Sequence, residues 1–236
     1  VKSGAGSAYK NMCAERFEEE ARKTGKPFRI VYLTNVGGSY NMLGETLRLT
    51  REVLLEVSDF RRENCPLSAL TLGVKCGTSD ATSGIAGNPC VGAAFDQLIR
   101  AGGTAFFSET TEIIGAEDLV AKRAVNESVA KKILSAAKHW EDKAKATGED
   151  IRKINPIPAN IAAGISSLEE KSLGAIAKSG TSPIQDVLKY AEMPKGSGLY
   201  FVDSWMSSLS LPLCLTACGA TIMLYQMGGG KIAQHP

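Results

Sequence analysis

The sequence predicts an α/β fold: a mostly parallel sheet with helices on both faces, Rossmann-like, running over residues 1–236 as a single α/β domain. Three observations carry this expectation. Short β-branched and aromatic runs alternate along the chain with longer segments of helical periodicity. Glycines and prolines punctuate the junctions between them. Polar clusters at 76–83, 108–112 and 203–208 directly follow three of the predicted strands, and in parallel sheets ligands bind beyond the carboxyl ends of the strands.

Taken in order, residues 7–24 read as an amphipathic helix, with Tyr9, Met12, Cys13 and Phe17 on one stripe and charges opposite. Phe28 to Leu33 reads as a strand that turns at Gly37 and Gly38 into a helix over 42–62. A second strand, Leu70 to Lys75, enters the polar glycine-rich stretch 76–88, and Pro89 opens a helix through Arg100. Gly102 and Gly103 close it before a short strand, Thr104 to Phe107. Helices over 116–124 and 127–146 follow, with Asn126 as the cap of the second. The stretch 148–164, with Pro156 and Pro158, reads as a long crossing loop. Ser166 or Ser167 caps the next helix, and Thr181, Ser182 and Pro183 mark a further helix start before Ile184 to Ala191. The last strands are Gly198 to Val202 and Thr221 to Tyr225, with a buried helix between them over 206–218 despite Pro212.

Apolar residues at 44% and charged residues at 22% are those of an ordinary soluble domain, and 236 residues suffice to bury a core without disulfides or metal staples. Lysines and arginines number 27 against 25 acids and are dispersed among them, so no nucleic-acid partner is expected. The longest apolar run, 209–215, is too short for a bilayer, so no membrane partner is expected. Without a signal peptide, the six cysteines are expected to be reduced thiols in the cytoplasm, with Cys214 and Cys218 as core packing. The apolar segment ending at Cys218 serves either the core or a subunit contact, and a homo-oligomer is expected. The chain opens at Val1 rather than methionine, which suggests part of a longer product.

The run Cys76-Gly77-Thr78-Ser79-Asp80-Ala81-Thr82-Ser83-Gly84 concentrates a thiol, hydroxyls and a carboxylate where glycines let the backbone approach a ligand. It reads either as the cradle of a small anionic substrate, with the helix after Asn88 aiming its N–H groups at it, or as a polar turn that satisfies itself. Glu109 and Glu112 after the third strand read either as metal ligands and proton carriers or as solvent charges. Lys171 is a further base candidate. Only His139 and His235 exist, neither with a motif partner, so a serine-hydrolase triad and a histidine zinc site are not expected. Gly228-Gly229-Gly230-Lys231 lacks the spacing of a phosphate loop.

Cys76 through Pro89, then Arg100-Ala101-Gly102-Gly103-Thr104 and Phe107-Ser108-Glu109-Thr110-Thr111-Glu112-Ile113-Ile114-Gly115-Ala116-Glu117, closely resemble the altronate and galactarate dehydratase family. The resemblance continues at Leu168-Glu169-Glu170-Lys171-Ser172-Leu173-Gly174 and Gly180-Thr181-Ser182-Pro183-Ile184-Gln185, and covers about 26–203. It implies the carboxy-terminal, catalytic-type region of a longer protein or a large subunit, partnered by a small amino-terminal domain or subunit that supplies histidines. The implied activity is that of a hydro-lyase acting on a small carboxylate substrate in sugar acid metabolism. A proton next to the carboxylate is removed, hydroxide leaves the neighbouring carbon, and a 2-keto-3-deoxy acid forms, assisted by a divalent metal (Fe2+, Mn2+ or Mg2+).

Cys76, Ser79, Asp80, Glu109 and Lys171 are the catalytic residues this suggests, with Asp80, Glu109 and Glu112 on the metal. Substrate contacts are expected from Gly77, Thr78, Thr82, Ser83 and Asn88 in the first cluster, and from Ser108, Thr181 and Ser182 beyond it. Two departures widen the substrate. Thr78 replaces a frequent second glycine, and Ser204-Trp205-Met206-Ser207-Ser208 stands where sugar-acid dehydratases tend to carry Pro-Gly-Tyr-Asp. Large subunits of sulfolactate sulfo-lyase look similar over the same core and also lack that segment, so sulfite elimination is the alternative, followed by a non-catalytic acid-binding module.

Overall fold

The computed structural model describes residues 14–229. The start of the first predicted helix, with Tyr9, Met12 and Cys13, lies outside the described residues, as do Gly230, Lys231 and His235. Two compact units divide the chain, Val1–Asn64 and Cys65–Pro236, and among the described residues all strands lie in the second.

The first unit is helical: α1 Ala14–Thr24, α2 Leu33–Val36 and α3 Ser39–Ser58. Gly37 and Gly38 have positive φ and make the predicted turn. The strand expected over 28–33 does not form. Among the described residues of this unit there is no other strand to complete a ladder, and an extended segment without a partner is not a sheet.

In the second unit, β1 Thr71–Cys76, β2 Thr104–Phe107, β3 Ile184–Leu188, β4 Gly198–Val202 and β5 Ile222–Gln226 form one sheet of order β3-β4-β2-β1-β5, with every pairing parallel. The helices of this unit are α4 Asn88–Arg100, α5 Thr110–Ile113, α6 Glu117–Ala121, α7 Glu127–Lys145, α8 Ile151–Ile154, α9 Pro158–Ala162, α10 Leu168–Ile176 and α11 Ser210–Ala217. Alternation along the strands sorts the core into two layers. Leu72, Val74, Ala105, Phe107, Leu199 and Phe201 pack with side chains of α4, α6 and α7. Phe106, Tyr200 and Val202 pack on the other face with Leu211, Cys214 and Leu215 of α11 and with Cys218. Helices therefore cover both faces, and β1, β2 and β4 are buried almost throughout, as central parallel strands must be.

Local chemistry explains the boundaries. Asn126 Oδ1 accepts from the Val129 N–H at 3.0 Å to cap α7, and Ser167 Oγ accepts from Glu170 N–H at 3.1 Å to cap α10. Gly73 admits α11 to the sheet, since a Cβ there would lie 2.6 Å from Met223 Sδ and 3.3 Å from Leu215 Cδ1. The predicted helix over 184–191 is instead β3, an edge strand. Thr181 and Ser182, which look like helix caps, spend their N–H and hydroxyl donors on the Asp96 carboxylate, freeing Ile184 to bury against β4. The crossing loop over 148–164 contains the one-turn helices α8 and α9. Among the described residues, no helix is long and apolar enough to cross a membrane.

Candidate active site at the carboxyl ends of the strands

Because all strands run in one direction, their carboxyl ends share one edge of the sheet. Cys76 ends β1, Ser108 and Glu109 follow β2, Asp203 follows β4, and Gln226 ends β5. Directly beyond β2 the chain turns through Glu109, which is fully buried in the left-handed region at φ 74 and ψ 65. A residue other than glycine held there costs about 1–3 kcal/mol and needs its surroundings to hold it. Here the surroundings are three donors: Lys75 Nζ at 2.6 Å, the Cys76 N–H at 2.9 Å and Lys178 Nζ at 2.7 Å. One helical turn on, Glu112 accepts a second bond from Lys178 Nζ at 2.6 Å. Lys178 reaches this position from the tight turn 177–179 after α10. That turn lies against α4 because Gly92 has no side chain, and a Cβ there would stand 2.2 Å from the Ala177 carbonyl oxygen.

Two glutamate carboxyl groups and two lysine amines, all essentially without solvent exposure, therefore form one network. Burial would raise Glu109, but Lys178 and Lys75 outweigh it and hold its carboxyl below the usual range. Glu112 moves the other way, raised by burial and then by the Glu109 charge. Lys178 is raised, its burial outweighed by Glu109 and Glu112. The Cys76 thiol, buried beside them, is pushed up to about 12 by burial first and Glu112 second, so it is a thiol rather than a thiolate at neutral pH. Its Sγ lies 3.7 Å from Ser79 Oγ and 3.6 Å from Gln226 Oε1.

A cavity of about 290 Å³ opens between the 79–88 segment and α10, lined among others by Ser79, Ser83, Asn88 and Lys171. Lys171 Nζ donates to Asn155 Oδ1 at 2.6 Å and to Asn160 Oδ1 at 2.9 Å, and Asn160 Nδ2 in turn donates to the Ser79 carbonyl at 3.0 Å. Burial lowers the Lys171 pKa. An amine with two N–H groups committed to carbonyl oxygens presents its third position as a lone pair once neutral, which is the geometry of a base.

Of the residues singled out in the sequence, Cys76, Ser79, Glu109 and Glu112 gather in or against the network, and Lys171, Ser83 and Asn88 line the cavity. Asp80 does not join the network. Its Oδ1 accepts from Thr82 Oγ1 at 2.6 Å and the Ser83 N–H at 3.1 Å within its own turn, and it is lowered, chiefly by Thr82. Thr78 is exposed and its carbonyl accepts from the N–H groups of Gly228 and Gly229, while the Gly77 N–H donates to the Gln226 carbonyl. The Ser108 hydroxyl is committed to the Val202 carbonyl, and those of Thr181 and Ser182 to Asp96. His139 is an exposed residue of α7.

Lys75, Lys178, Asn160 and Gln226 were not singled out. Lys75 carried a signal: a lysine inside a short, otherwise apolar central strand needs a buried carboxylate.

As for a divalent ion, one donor atom each from Cys76, Glu109 and Glu112 lie within 4.8 Å of one another, but the set fits a cation poorly. Lys75 and Lys178 take both Glu109 oxygens, Lys178 also takes one oxygen of Glu112, and Cys76 is held as a thiol. The third expected ligand, Asp80, is not among them.

A family model described as D-galactarate/Altronate dehydratase, C-terminal, matches residues 67–236. Among curated proteins, the chain is 38% identical over 193 residues to galactarate dehydratase (L-threo-forming) of Escherichia coli (strain K12), across 82% of this chain and 37% of that protein. It is 35% identical over 219 residues to (2R)-sulfolactate sulfo-lyase subunit beta of Chromohalobacter salexigens, across 91% of this chain and 56% of that subunit. It is 40% identical over 182 residues to altronate dehydratase of Bacillus subtilis (strain 168), across 77% of this chain and 36% of that protein. The chain thus spans between about a third and just over half the length of these relatives.

Proposed function

The chain belongs to the D-galactarate/altronate dehydratase family through its carboxy-terminal domain, and on that premise we propose that it is the lyase domain or subunit that eliminates water from a hydroxylated sugar acid. The observation that carries this reading is Lys171, a half-buried amine of lowered pKa on the cavity wall, with the Glu109, Glu112 and Lys178 network beside Cys76 and Ser79.

In the proposed reaction the neutral Lys171 amine takes the proton from the carbon next to the substrate carboxylate. The C–H electrons form a double bond while the neighbouring C–O bond breaks, and the departing hydroxide leaves as water. Ser79, whose hydroxyl sits beside the Cys76 thiol, is proposed to bond the leaving oxygen, and Glu112, the carboxyl with raised pKa, to resupply its proton. Separated pKa values are what one site needs to run both acid and base steps. Tautomerisation of the enol yields the 2-keto-3-deoxy acid. Because Lys75 and Lys178 already occupy both Glu109 oxygens and Lys178 one of Glu112, no step is assigned to an ion bound between them. The activity is proposed to be cytoplasmic and to require the small amino-terminal domain or subunit.

A second reading is sulfite elimination from sulfolactate. It is favoured by the 91% of the chain that aligns with the sulfo-lyase subunit, and by the Ser204 to Ser208 segment after β4. The deciding experiment assays the complete protein with its partner on galactarate, altronate and sulfolactate, after chelation and with Fe2+, Mn2+ or Mg2+ added, following keto acid and sulfite together. Keto acid alone is expected; sulfite moves the assignment to a sulfo-lyase, and neither product in any condition ends the lyase reading.

A further inference from the structure

The stretch 148–164, which crosses from α7 to α10, carries a brace at its carboxyl end. There α9 is a single turn opened by Pro158, and two bonds lay it on the turn after β1. Asn160 Nδ2 donates to the Ser79 carbonyl at 3.0 Å, and the Ala81 N–H donates to the Ala163 carbonyl at 3.2 Å. The other end of the same amide, Asn160 Oδ1, accepts from Lys171 Nζ at 2.9 Å. Asn160 is 3% exposed, so one buried side chain joins α9, the Ser79 turn and α10.

Both ends of this amide are specified. Turned over, it would set its NH2 against the Lys171 amine and its oxygen against the Ser79 carbonyl, donor on donor and acceptor on acceptor. Aspartate lacks the donor for Ser79, and leucine of the same size lacks both bonds. Charge matters as well. The second acceptor of Lys171 is Asn155 Oδ1 at 2.6 Å, so both of its acceptors are neutral amides. A carboxylate in either place would favour the ammonium and hold the proton that a base must lack. The titratable groups that bear on Lys171 come from other elements. Glu112 of α5, Cys76 at the end of β1 and Glu109 after β2 oppose the lowering by burial without cancelling it, and Asp80 and Glu170 line the same cavity.

We propose that Asn160 is a positioning residue: it ties the Lys171 amine to the backbone at Ser79 and so holds the base and the group that bonds the leaving oxygen at one fixed separation. Proton removal and departure of the oxygen take place on adjacent carbons, and a misplacement of about 1 Å between such groups costs about 100-fold in rate. What the two groups do rests on the lyase reading; the brace between them does not.

The test compares the complete enzyme as wild type, Asn160→Leu and Asn160→Asp, with kcat and KM measured against pH on the acid that the wild type turns over. Asn160→Leu is expected to lower the plateau kcat about tenfold or more with KM little changed, and its rising limb of kcat/KM should lie no higher in pH than that of the wild type. Asn160→Asp still accepts from Lys171 but adds a charge and loses the Ser79 bond. Its kcat should fall as well, and its limb should move up by about one pH unit or more. A folded variant whose plateau kcat stays within about twofold of wild type, as a purely structural asparagine predicts, overturns the proposal. If Asn160→Leu does not fold, kcat and the limb of Asn160→Asp decide. Wild-type enzyme that turns over no acid ends the lyase reading. Trace acetylation of Lys171 against pH, read by mass spectrometry, then still decides the brace: Asn160→Asp should raise the labelling midpoint, and an unmoved midpoint sinks it.

Discussion

Two carboxylate clusters follow adjacent strands of this sheet and are satisfied in opposite ways. After β1, Asp80 sits in a turn and takes its hydrogen bonds from Thr82 and Ser83, two and three residues away. After β2, Glu109 is buried and takes its bonds from Lys75, Cys76 and Lys178, between 33 and 69 residues away. The first cluster is made by local sequence and would persist in a solvated loop. The second exists only once the sheet, α10 and the turn carrying Lys178 have assembled. Shifted pKa values and buried charge, the marks of a working site, go with the non-local cluster, whereas the local one is conspicuous mainly because its polar residues are consecutive.

The sharpest way to break this contrast is Glu109→Gln. It removes one charge from a buried network and leaves Lys75 and Lys178 with a single carboxylate between them, which should cost about 3–5 kcal/mol in urea unfolding. A loss below about 1 kcal/mol would mean that the network is solvated and belongs with the Asp80 turn. Next in size is Lys171→Gln, which keeps a polar chain but removes the base. Turnover of the complete enzyme should fall about 100-fold or more, with the urea midpoint nearly unchanged. In the wild type, because the Lys171 pKa is lowered and the neutral amine is the active form, kcat/KM should rise with pH and level off below the usual lysine range. Undiminished turnover in Lys171→Gln would move the base elsewhere.

The same contrast explains what could be read from residues alone. The parallel sheet was legible because its strands are bounded by polar or glycine signals, and Cys76, Glu109 and Asp203 do stand at or just after the carboxyl ends of their strands. Glu112 was legible from its place after β2, but its partner was not. Lys178 follows Leu173, Ala175 and Ile176 and looks like the ordinary basic end of a helix; only Gly92 against Ala177 reveals where it goes. The strand β3 was missed for a related reason. Thr181-Ser182-Pro183 carries good capping chemistry, but its donors serve Asp96 on α4, some 85 residues earlier, and a cap signal does not say which acceptor it will meet.

A smaller effect separates the two glutamates within the network. Glu112 is raised in the folded protein by burial and by Glu109, so its contribution to stability is present below the unfolded value of 4.5 and is lost as pH rises through its folded value. Glu109 is lowered, so its contribution is present above 4.5 and is lost as pH falls. Urea midpoints measured from about pH 4 to about pH 8 should show the wild type losing ground against Glu112→Gln as pH rises. Against Glu109→Gln the wild type should lose ground as pH falls. Slopes of the same sign in both comparisons would contradict the split of roles between acid and anchor.

The smallest effect is expected where the sequence looked most promising. Asp80→Asn keeps the Oδ1 acceptor for Thr82 and the Ser83 N–H, and because Asp80 is only partly buried, solvent screens much of what its charge contributes. Unfolding free energy should change by no more than about 0.5 kcal/mol. Turnover is the more telling measurement, because Asp80 lines the same cavity as Lys171. A fall in kcat/KM below a few fold leaves Asp80 as a turn residue. A loss as large as that of Lys171→Gln, with stability unchanged, would mean that the local cluster contributes chemistry after all, and that self-satisfaction within a turn is no guide to whether a carboxylate works.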